Sequence, residues 1–335
     1  MKRNINNMIT RLQNKLIFMG FVIGGIQSGN SQLPMKMDST AYTQNISNSN
    51  ISFDMVKIPG GTYDMGSETG NMDEKPLHKV KIDSIWAGKY EVTWEVFDLF
   101  LAENQNLFHA EPEGKLEKLD AISRPSPPFE DPSLGMGKAG FPVINISPYA
   151  ALTFCKWLST VTGRFYRLPT EAEWEYMCKT GPDGKDFFKE GGKGLDLFAW
   201  SYDNSDYQYS KVGEKLPNAH GLYDILGNVG EWTLDQYDET FYGKSKDSVS
   251  VNPWNIPTRL HPRVYRGGSW NDDVTDISPT KRSTSGPYLQ KNDPQIPKSF
   301  WWYTDASYIG FRLVSPVKQP TEEEALKFWQ IALDE

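Results

Sequence analysis

One segment of twelve residues carries the side chains best suited to metal chemistry. The stretch 221–232 combines carboxylates at Asp224 and Glu231, an amide at Asn228 and several flexible glycines. A hard cation such as Ca²⁺ prefers carboxylate oxygens and exposed backbone carbonyls that a bend brings together. The same residues also suit a plain turn between strands, with Asp224 and Asn228 holding the turn and Trp232 in the core. The spacing matches no standard metal loop, so both interpretations stay open.

Five further motifs surround this segment in a fixed order. They are Ile58–Ser67, Lys89–Thr93, Arg167–Tyr176, Arg266–Trp270 and Gly310–Leu313. In this order the motifs resemble the formylglycine-generating enzyme family, also called the sulfatase-modifying factor family, over roughly residues 53–316. The resemblance implies an α+β fold, an elaborated C-type-lectin-like single domain that is loop-rich with few helices. The short strands, long loops and many aromatic residues of the chain agree with that fold.

The resemblance places the chemistry of the family where this chain lacks the residues for it. Active members oxidise a cysteine of a sulfatase to formylglycine with O₂, and use two cysteines just after a Gly-Gly-Ser-aromatic motif. Two thiolates suit the soft ion Cu(I). Here the motif is 267–270, and the two thiol positions fall on Asp272 and Ile277. Neither side chain binds Cu(I) as a thiolate does, so we expect neither copper nor the catalytic residues of the family.

The resemblance also assigns ligands for a structural calcium ion. It places side-chain oxygens on Asp224 and Glu231 and backbone carbonyls on Gly227 and Val229. Family members commonly carry Trp where this chain has Gly230, and in the active enzymes that Trp helps to wall the substrate groove. We therefore expect the loss of that side chain to widen or reshape the groove.

The groove beside the Gly-Gly-Ser-Trp motif can still bind a ligand. The residues that we expect to line it are Ser269, Trp270, Asp272, Arg282 and Ser283. The acidic cluster of Asp272, Asp273 and Asp276 suits a hard metal or a cationic group. It suits a solvated loop at least as well. The aromatic run 300–305 fits a groove wall, although we favour a place in the core.

Composition excludes some partners. The chain has 335 residues and a formal net charge of −8, with no stripe of Lys and Arg, which argues against a nucleic-acid surface. Its four histidines are scattered and predict no histidine-rich metal site. The only two cysteines, Cys155 and Cys178, fall in predicted helices. We expect them to be buried free thiols.

The N-terminal residues indicate export. Basic residues precede a short, glycine-containing apolar run ending near residue 26, and small residues follow it. We therefore expect a signal peptide over 1–30, or alternatively a signal anchor, in which case this segment makes the only membrane contact. A disordered linker over 31–52, the family domain over 53–318 and a helical tail over 319–335 complete the predicted organisation.

Local patterns predict the elements that position these residues. Alternating apolar residues over 53–66 predict a strand that enters a Gly-Gly turn, and Val80, Ile82 and Ile85 continue the strand pattern. A helix is expected from Thr93, and a second from the cap Ser147 to Gly163. A third follows Thr170, which forms a capping box with Glu173. The stretch 103–140 predicts an irregular surface excursion.

Three functions remain in competition. The first is an exported, divergent family member that lacks copper-thiolate chemistry and binds a peptide, protein or glycan ligand in the cell envelope. The second is an O₂-dependent oxidoreductase with a metal held by carboxylates. The third is a formylglycine-generating sulfatase activator. We favour the first, because Asp272 and Ile277 stand at the thiol positions.

Overall fold

A computed structural model describes residues 40–107, 127–180, 194–245 and 248–333. The predicted export signal lies outside these described residues. Eleven strands occur in them: β1 (Ala41–Asn45), β2 (Ser52–Ile58), β3 (Gly61–Met65), β4 (His78–Ile82), β5 (Ile85–Gly88), β6 (Gly230–Gln236), β7 (Ser250–Val251), β8 (Arg263–Arg266), β9 (Ser283–Thr284), β10 (Ile309–Gly310) and β11 (Val314–Pro316). They form three small sheets, with the strand orders β1-β2-β5-β11, β10-β6-β8-β9 and β3-β4-β7.

Four α-helices accompany the sheets: α1 (Trp94–Leu107), α2 (Pro148–Thr162), α3 (Glu171–Lys179) and α4 (Glu322–Ala332). The predicted caps are confirmed. Ser147 Oγ accepts the amide N–H of Ala150, and α2 ends at Gly163 in the left-handed region with φ of 68°. Thr170 forms the expected capping box at the start of α3. No helix in the described ranges is long and apolar enough to cross a membrane.

The N-terminal boundary differs from the predicted one. Strand β1 lies inside the segment 31–52 that we expected to be a disordered linker, and it pairs antiparallel with β2 over five residues. Polar composition concealed it, because β1 is an edge strand whose alternate side chains face solvent. Tyr42 supplies the inward contact, with its ring 4.8 Å from the ring of Trp86. Part of the predicted linker, residues 41–45, is therefore a strand of the first sheet.

Two further expectations change in detail. Helix α1 extends into the stretch 103–140 that we expected to be irregular, and residues 108–126 of that stretch lie outside the described residues. The C-terminal tail does form a helix, but it belongs to the core of the domain rather than extending from it. Phe328 and Trp329 of α4 pack on Phe165 with ring-centre distances of 5.3 and 5.4 Å.

The core is built largely from aromatic side chains. Trp94, Trp174, Trp232 and Trp301 are almost fully buried. Such rings cover long loops that have no regular hydrogen-bond ladder, and edge-to-face pairs add about 0.5–1.5 kcal/mol each beyond their buried area. The run 300–305 contributes to this core through Trp301, Trp302 and Tyr303. Its favoured assignment to the core rather than to a groove wall is thereby confirmed for these three residues.

Candidate functional site

The Gly-Gly-Ser-Trp motif forms a tight loop directly after β8. Gly267 and Gly268 have φ of 103° and 70°, values that glycine adopts without steric cost. Ser269 is fully buried, and its Oγ donates a hydrogen bond of 2.7 Å to Oδ2 of Asp272. The amide of Trp270 donates to the carbonyl of Asn228 at 2.8 Å, which joins this loop to the candidate metal segment. Ser269, Trp270 and Asp272 therefore lie together in this loop.

The residues at the two thiol positions, Asp272 and Ile277, make contacts that hold the loop together. Asp272 is half-buried and is held by Ser269. Ile277 is 5% exposed and packs on Gly268, where a β-carbon would stand 2.7 Å from Cγ1 of Ile277. An aspartate and a core isoleucine offer Cu(I) no soft donor. The residues present therefore do not fit the copper site of the resembled enzymes.

The two cysteines do not replace the missing pair. Cys155 and Cys178 are free and completely buried, as predicted, in α2 and α3 respectively. Burial in apolar surroundings raises the pKa of both thiols well above the ordinary value. Because the thiolate is the metal ligand and nucleophile, a protonated buried thiol supplies neither function.

Two further residues that we expected to line the groove are Arg282 and Ser283. Arg282 is buried and donates from Nε and Nη2 to the carboxylate of Glu171, at 2.7 and 2.9 Å. Glu171 also binds Arg266, at 2.7 Å. Arg282 is therefore part of a buried ionic network between α3, β8 and the loop before β9, and the expectation that it lines the groove was wrong. Ser283 lies opposite Tyr265 in the pairing of β8 with β9 and is half-buried.

A tyrosine fills the space that the missing tryptophan would take. A β-carbon on Gly230 would stand 2.8 Å from Cδ2 of Tyr265. The ring of Tyr265 packs edge-to-face on Trp232 at 5.5 Å and lies 6.4 Å from the ring of Tyr308. A larger side chain at position 230 would therefore have to displace the ring of Tyr265. No signal in the sequence marked Tyr265, because its place depends on the pairing of Trp232 with Tyr265 between β6 and β8.

Restoring the family's tryptophan should cost stability for this reason. We expect Gly230→Trp to lower the free energy of unfolding by about 1–3 kcal/mol, since the new side chain must displace the ring of Tyr265. Combining it with Tyr265→Ala should recover part of that loss, and urea unfolding of both single variants and the double variant measures the coupling. Strictly additive effects would contradict the competition between the two side chains.

The candidate calcium segment 221–232 is a largely buried loop that leads into the first three residues of β6. Asp224 is 1% exposed; its Oδ2 accepts the amide of Gly213 at 2.7 Å, and its Oδ1 is buried with no hydrogen-bond partner. Burial raises the pKa of Asp224 to about 6. A buried carboxylate oxygen without a donor is suited to a cation. Asp224 therefore fits the expected calcium ligand.

Glu231 fits that role less simply. It is fully buried, and Arg312 donates to it from Nη2 at 2.7 Å and from Nε at 2.9 Å. Trp174 Nε1 donates to its second oxygen at 2.8 Å. Arg312 also binds the carbonyls of Gly88 and Tyr223, each within 2.8 Å. The guanidinium of Arg312 thus already balances the charge of Glu231. A metal ion bound here would share the carboxylate oxygens of Glu231 with Arg312.

Glu91 is a residue that sequence reasoning missed. It is buried, and its carboxylate accepts from the side chain of Asn228 at 2.7 Å and from the amide of Val229 at 3.1 Å. Burial raises its pKa well above the ordinary value, and the nearby carboxylates of Asp224 and Glu231 add to this. Its motif, 89–93, was recognised without a role for this side chain. Among the described residues, no group of three or more His, Cys, Asp or Glu side chains is arranged to hold a metal by itself, so a cation here would need backbone carbonyls too.

Comparison with known families agrees with the motifs. The model of the sulfatase-modifying factor enzyme 1-like domain matches residues 42–316. The chain belongs to the sulfatase-modifying factor family. The family model begins to match at residue 42, within β1. This supports a domain boundary near residue 40 rather than at 53.

Curated relatives of this sulfatase-modifying factor protein carry different names. The serine/threonine-protein kinase pkn1 of Chlamydia pneumoniae is 31% identical over 239 residues, which cover 70% of this chain and 36% of the kinase. The formylglycine-generating enzyme of Mus musculus is 29% identical over 264 residues, which cover 64% of this chain and 66% of the enzyme. The chaperone protein LppX of Paenibacillus barcinonensis is 26% identical, with 68% of this chain and 82% of the chaperone covered. Proteins similar to this chain are thus named for different activities, so family membership alone does not identify the activity of this protein.

Solved structures agree on the fold of this sulfatase-modifying factor protein. Variable protein 1 of Treponema denticola superposes with a TM-score of 0.59 at 23% identity, covering 83% of this chain and 99% of that one. PvdO of Pseudomonas aeruginosa superposes with a TM-score of 0.55 at 24% identity, covering 79% of this chain and 94% of that one. The α+β, C-type-lectin-like fold is thus confirmed.

Proposed function

We propose that this protein is an exported binding or scaffold protein of the cell envelope that does not carry the copper-thiolate oxidase chemistry of its family. The observation that supports this most is the pair of residues at the thiol positions. Asp272 is hydrogen-bonded to Ser269 and Ile277 is packed in the core, while both thiols of the chain are buried elsewhere. Cu(I) is a soft ion that prefers sulfur donors and itself hands an electron to O₂, and this groove offers it oxygen and aliphatic carbon instead.

The ligand site in this proposal is the surface around Ser269, Trp270 and Asp272. Trp270 is 9% exposed, and its indole N–H donates to the carbonyl of Ser307 at 3.1 Å. Loops from four parts of the chain therefore meet at this motif. Loops held on a rigid scaffold are the usual carriers of binding residues. The ligand is a peptide, protein or glycan, and one similar protein, from Paenibacillus barcinonensis, is named a chaperone.

Export is part of the same proposal. Lys2, Arg3, Arg11 and Lys15 precede the apolar run 16–26, the arrangement of a secretory signal. Secretion of a reporter fused after residue 40, with retention when the apolar run is interrupted by two Asp residues, tests this part separately.

A structural calcium ion completes the proposal. Asp224 and Glu231 would hold it through carboxylate oxygens, and Gly227 and Val229 through backbone carbonyls. The unpartnered Oδ1 of Asp224 supports this assignment. Bound there, the ion would neutralise part of the charge of Glu91, Asp224 and Glu231, which Arg312 alone does not balance, and so stabilise the loop.

The competing function is an O₂-dependent metal oxidoreductase, including a formylglycine-generating sulfatase activator. It is tested by incubating the purified protein with O₂, Cu(I) and a Cys-x-Pro-x-Arg peptide, followed by mass spectrometry. We expect an unchanged peptide mass. A mass loss that corresponds to conversion of the thiol to an aldehyde would overturn the proposal. A protein from the same family that has both thiols serves as the positive control.

A further inference from the structure

An unusual concentration of tyrosine and aspartate surrounds the proposed ligand site. We call it the tyrosine-aspartate face and define it by Tyr202, Tyr207, Tyr265, Tyr288, Tyr308, Asp203, Asp206, Asp272 and Asp273. Hydrogen bonds join its parts. The amide of Tyr202 donates to the carbonyl of Asp272 at 2.9 Å, and Ser205 Oγ donates to the carbonyl of Trp270 at 3.2 Å. These residues come from separate segments of the chain that these contacts bring near Asp272.

Two rings of this face are exposed in a way that core packing does not explain. Tyr202 and Tyr207 are 44% and 66% exposed. Their ring centres lie 5.0 Å apart in an edge-to-face arrangement. Asp206 and Tyr207 both have positive φ, 53° and 62°, and a bulky residue in this region is uncommon. The loop therefore holds two aromatic rings toward solvent. This arrangement costs backbone strain, and exposed rings do not improve solubility.

The other three tyrosines form a second aromatic group near Asp272. Tyr288 is 49% exposed, and Tyr265 and Tyr308 are half-buried. Burial, and then the neighbouring Tyr288, raises the pKa of Tyr308 to about 12, and Asp272 lies close enough to add to the effect. At neutral pH these phenols are uncharged, so the neighbourhood of Asp272 contains neutral rings and hydroxyl groups but no phenolate.

The carboxylates of this face lack basic partners. Within the described part of the chain, no ion pair joins Asp203, Asp206, Asp272 or Asp273 to a Lys or Arg. The ion pair at the edge of the face is Lys281 with Asp276, at 3.2 Å. Asp203 and Asp273 lie near the ring of Tyr202 and raise its pKa, after the larger effect of the hydrogen-bonded Tyr207. Uncompensated carboxylates beside exposed ring faces create a strongly negative surface.

We propose that the tyrosine-aspartate face binds a cationic polypeptide segment, one that presents several Arg or Lys side chains. This inference rests on the proposed binding function and names the partner class of that site. The ring faces attract cations, Arg more than Lys because a planar guanidinium stacks on them. The aspartates supply charge-assisted acceptors and steer the encounter. A neutral glycan would stack on the rings and hydrogen-bond to the carboxylates, but it would leave their negative charge uncompensated, and an anionic partner would be repelled.

The experiment measures binding of a fluorescein-labelled peptide of alternating Arg and Gly, ten residues long, to the purified protein by fluorescence anisotropy. The test variant is Asp206→Asn with Asp273→Asn. Both side chains are exposed, neither makes a hydrogen bond that the fold uses, and Asn tolerates the positive φ at 206. The matched control removes the same charge on α4, through Glu322→Gln with Glu323→Gln. A second test variant, Tyr207→Asn, removes an exposed ring at a position whose backbone Asn also tolerates.

We expect the aspartate double variant to weaken binding about tenfold at low salt, from two exposed charge contacts, and Tyr207→Asn to weaken it about threefold. The α4 control should leave affinity unchanged, and 200 mM salt should weaken binding to the natural chain. Equal losses in the face and control variants would show a response to net charge only and overturn the inference. Binding of a neutral oligosaccharide without binding of the Arg peptide would also overturn it, while leaving the proposed binding function standing. Oxidation of the Cys-x-Pro-x-Arg peptide would overturn the proposed function instead.

Discussion

Replacing Glu231 by alanine is expected to lower the free energy of unfolding by about 3–5 kcal/mol. The substitution leaves the guanidinium of Arg312 fully buried without its carboxylate, and an uncompensated buried charge has this cost. Urea unfolding, with the midpoint and slope both fitted, measures the loss. The exposed Glu68→Ala should stay within about 0.5 kcal/mol of the natural chain. A loss at Glu231 no larger than that of the control would contradict the buried ion pair.

This variant does not by itself test calcium, because Arg312 alone explains the expected loss. Asp224 separates the two causes. Asp224→Asn keeps an oxygen for the amide of Gly213 but removes the charge on the unpartnered side. We expect EDTA to lower the melting temperature of the natural chain by several degrees, since a ligand at 100 times its Kd contributes about 2.7 kcal/mol. EDTA should have little effect on Asp224→Asn. If the natural chain has the same melting temperature with EDTA as with added Ca²⁺, the proposed calcium site is wrong.

Arg266→Met is expected to cause a loss of similar size, about 3–5 kcal/mol. Arg266 is fully buried and donates at 2.7 Å to each of three oxygens, on Glu171, Glu175 and Pro279. Methionine fills much of the volume but leaves these acceptors without their donor. Glu171 retains Arg282, so most of the cost should arise at Glu175, whose other basic neighbour, Lys179, is 3.7 Å away.

The matched control for Arg266 is a surface ion pair. Lys79 binds Asp64 at 2.8 Å, but both side chains are about half exposed. Lys79→Met should therefore cost about 0–1 kcal/mol. The same urea titration compares the two variants. Similar losses for Arg266→Met and Lys79→Met would mean that the network around α3 is solvated rather than buried.

Features decided by neighbouring residues were predictable from the sequence. The ends of α2 and α3 follow from Ser147, Gly163 and the Thr170–Glu173 box, because a cap acts within four residues along the chain. The same locality made the Gly-Gly-Ser-Trp motif recognisable, whereas the hydrogen bond from Ser269 to Asp272 was seen only in the structure. The replacement of the two thiols is a matter of residue identity, which no fold can alter.

Features that join distant segments depended on the tertiary structure. Arg282 was expected in the groove, but its partner Glu171 lies 111 residues away. The packing of the domain buries the guanidinium of Arg282. A buried charge is stable only beside an opposite charge, and Glu171 supplies it. Tyr265 covers Gly230 because β6 pairs with β8, and β1 is ordered because β2 offers it hydrogen bonds.

Local sequence thus determined the family, the helix caps and the loss of thiol ligands. The tertiary structure decided which charges are buried together and which tyrosines share a surface. The physical reason is that burial and charge pairing depend on distances between residues far apart in the chain, and those distances are set only when the whole domain packs.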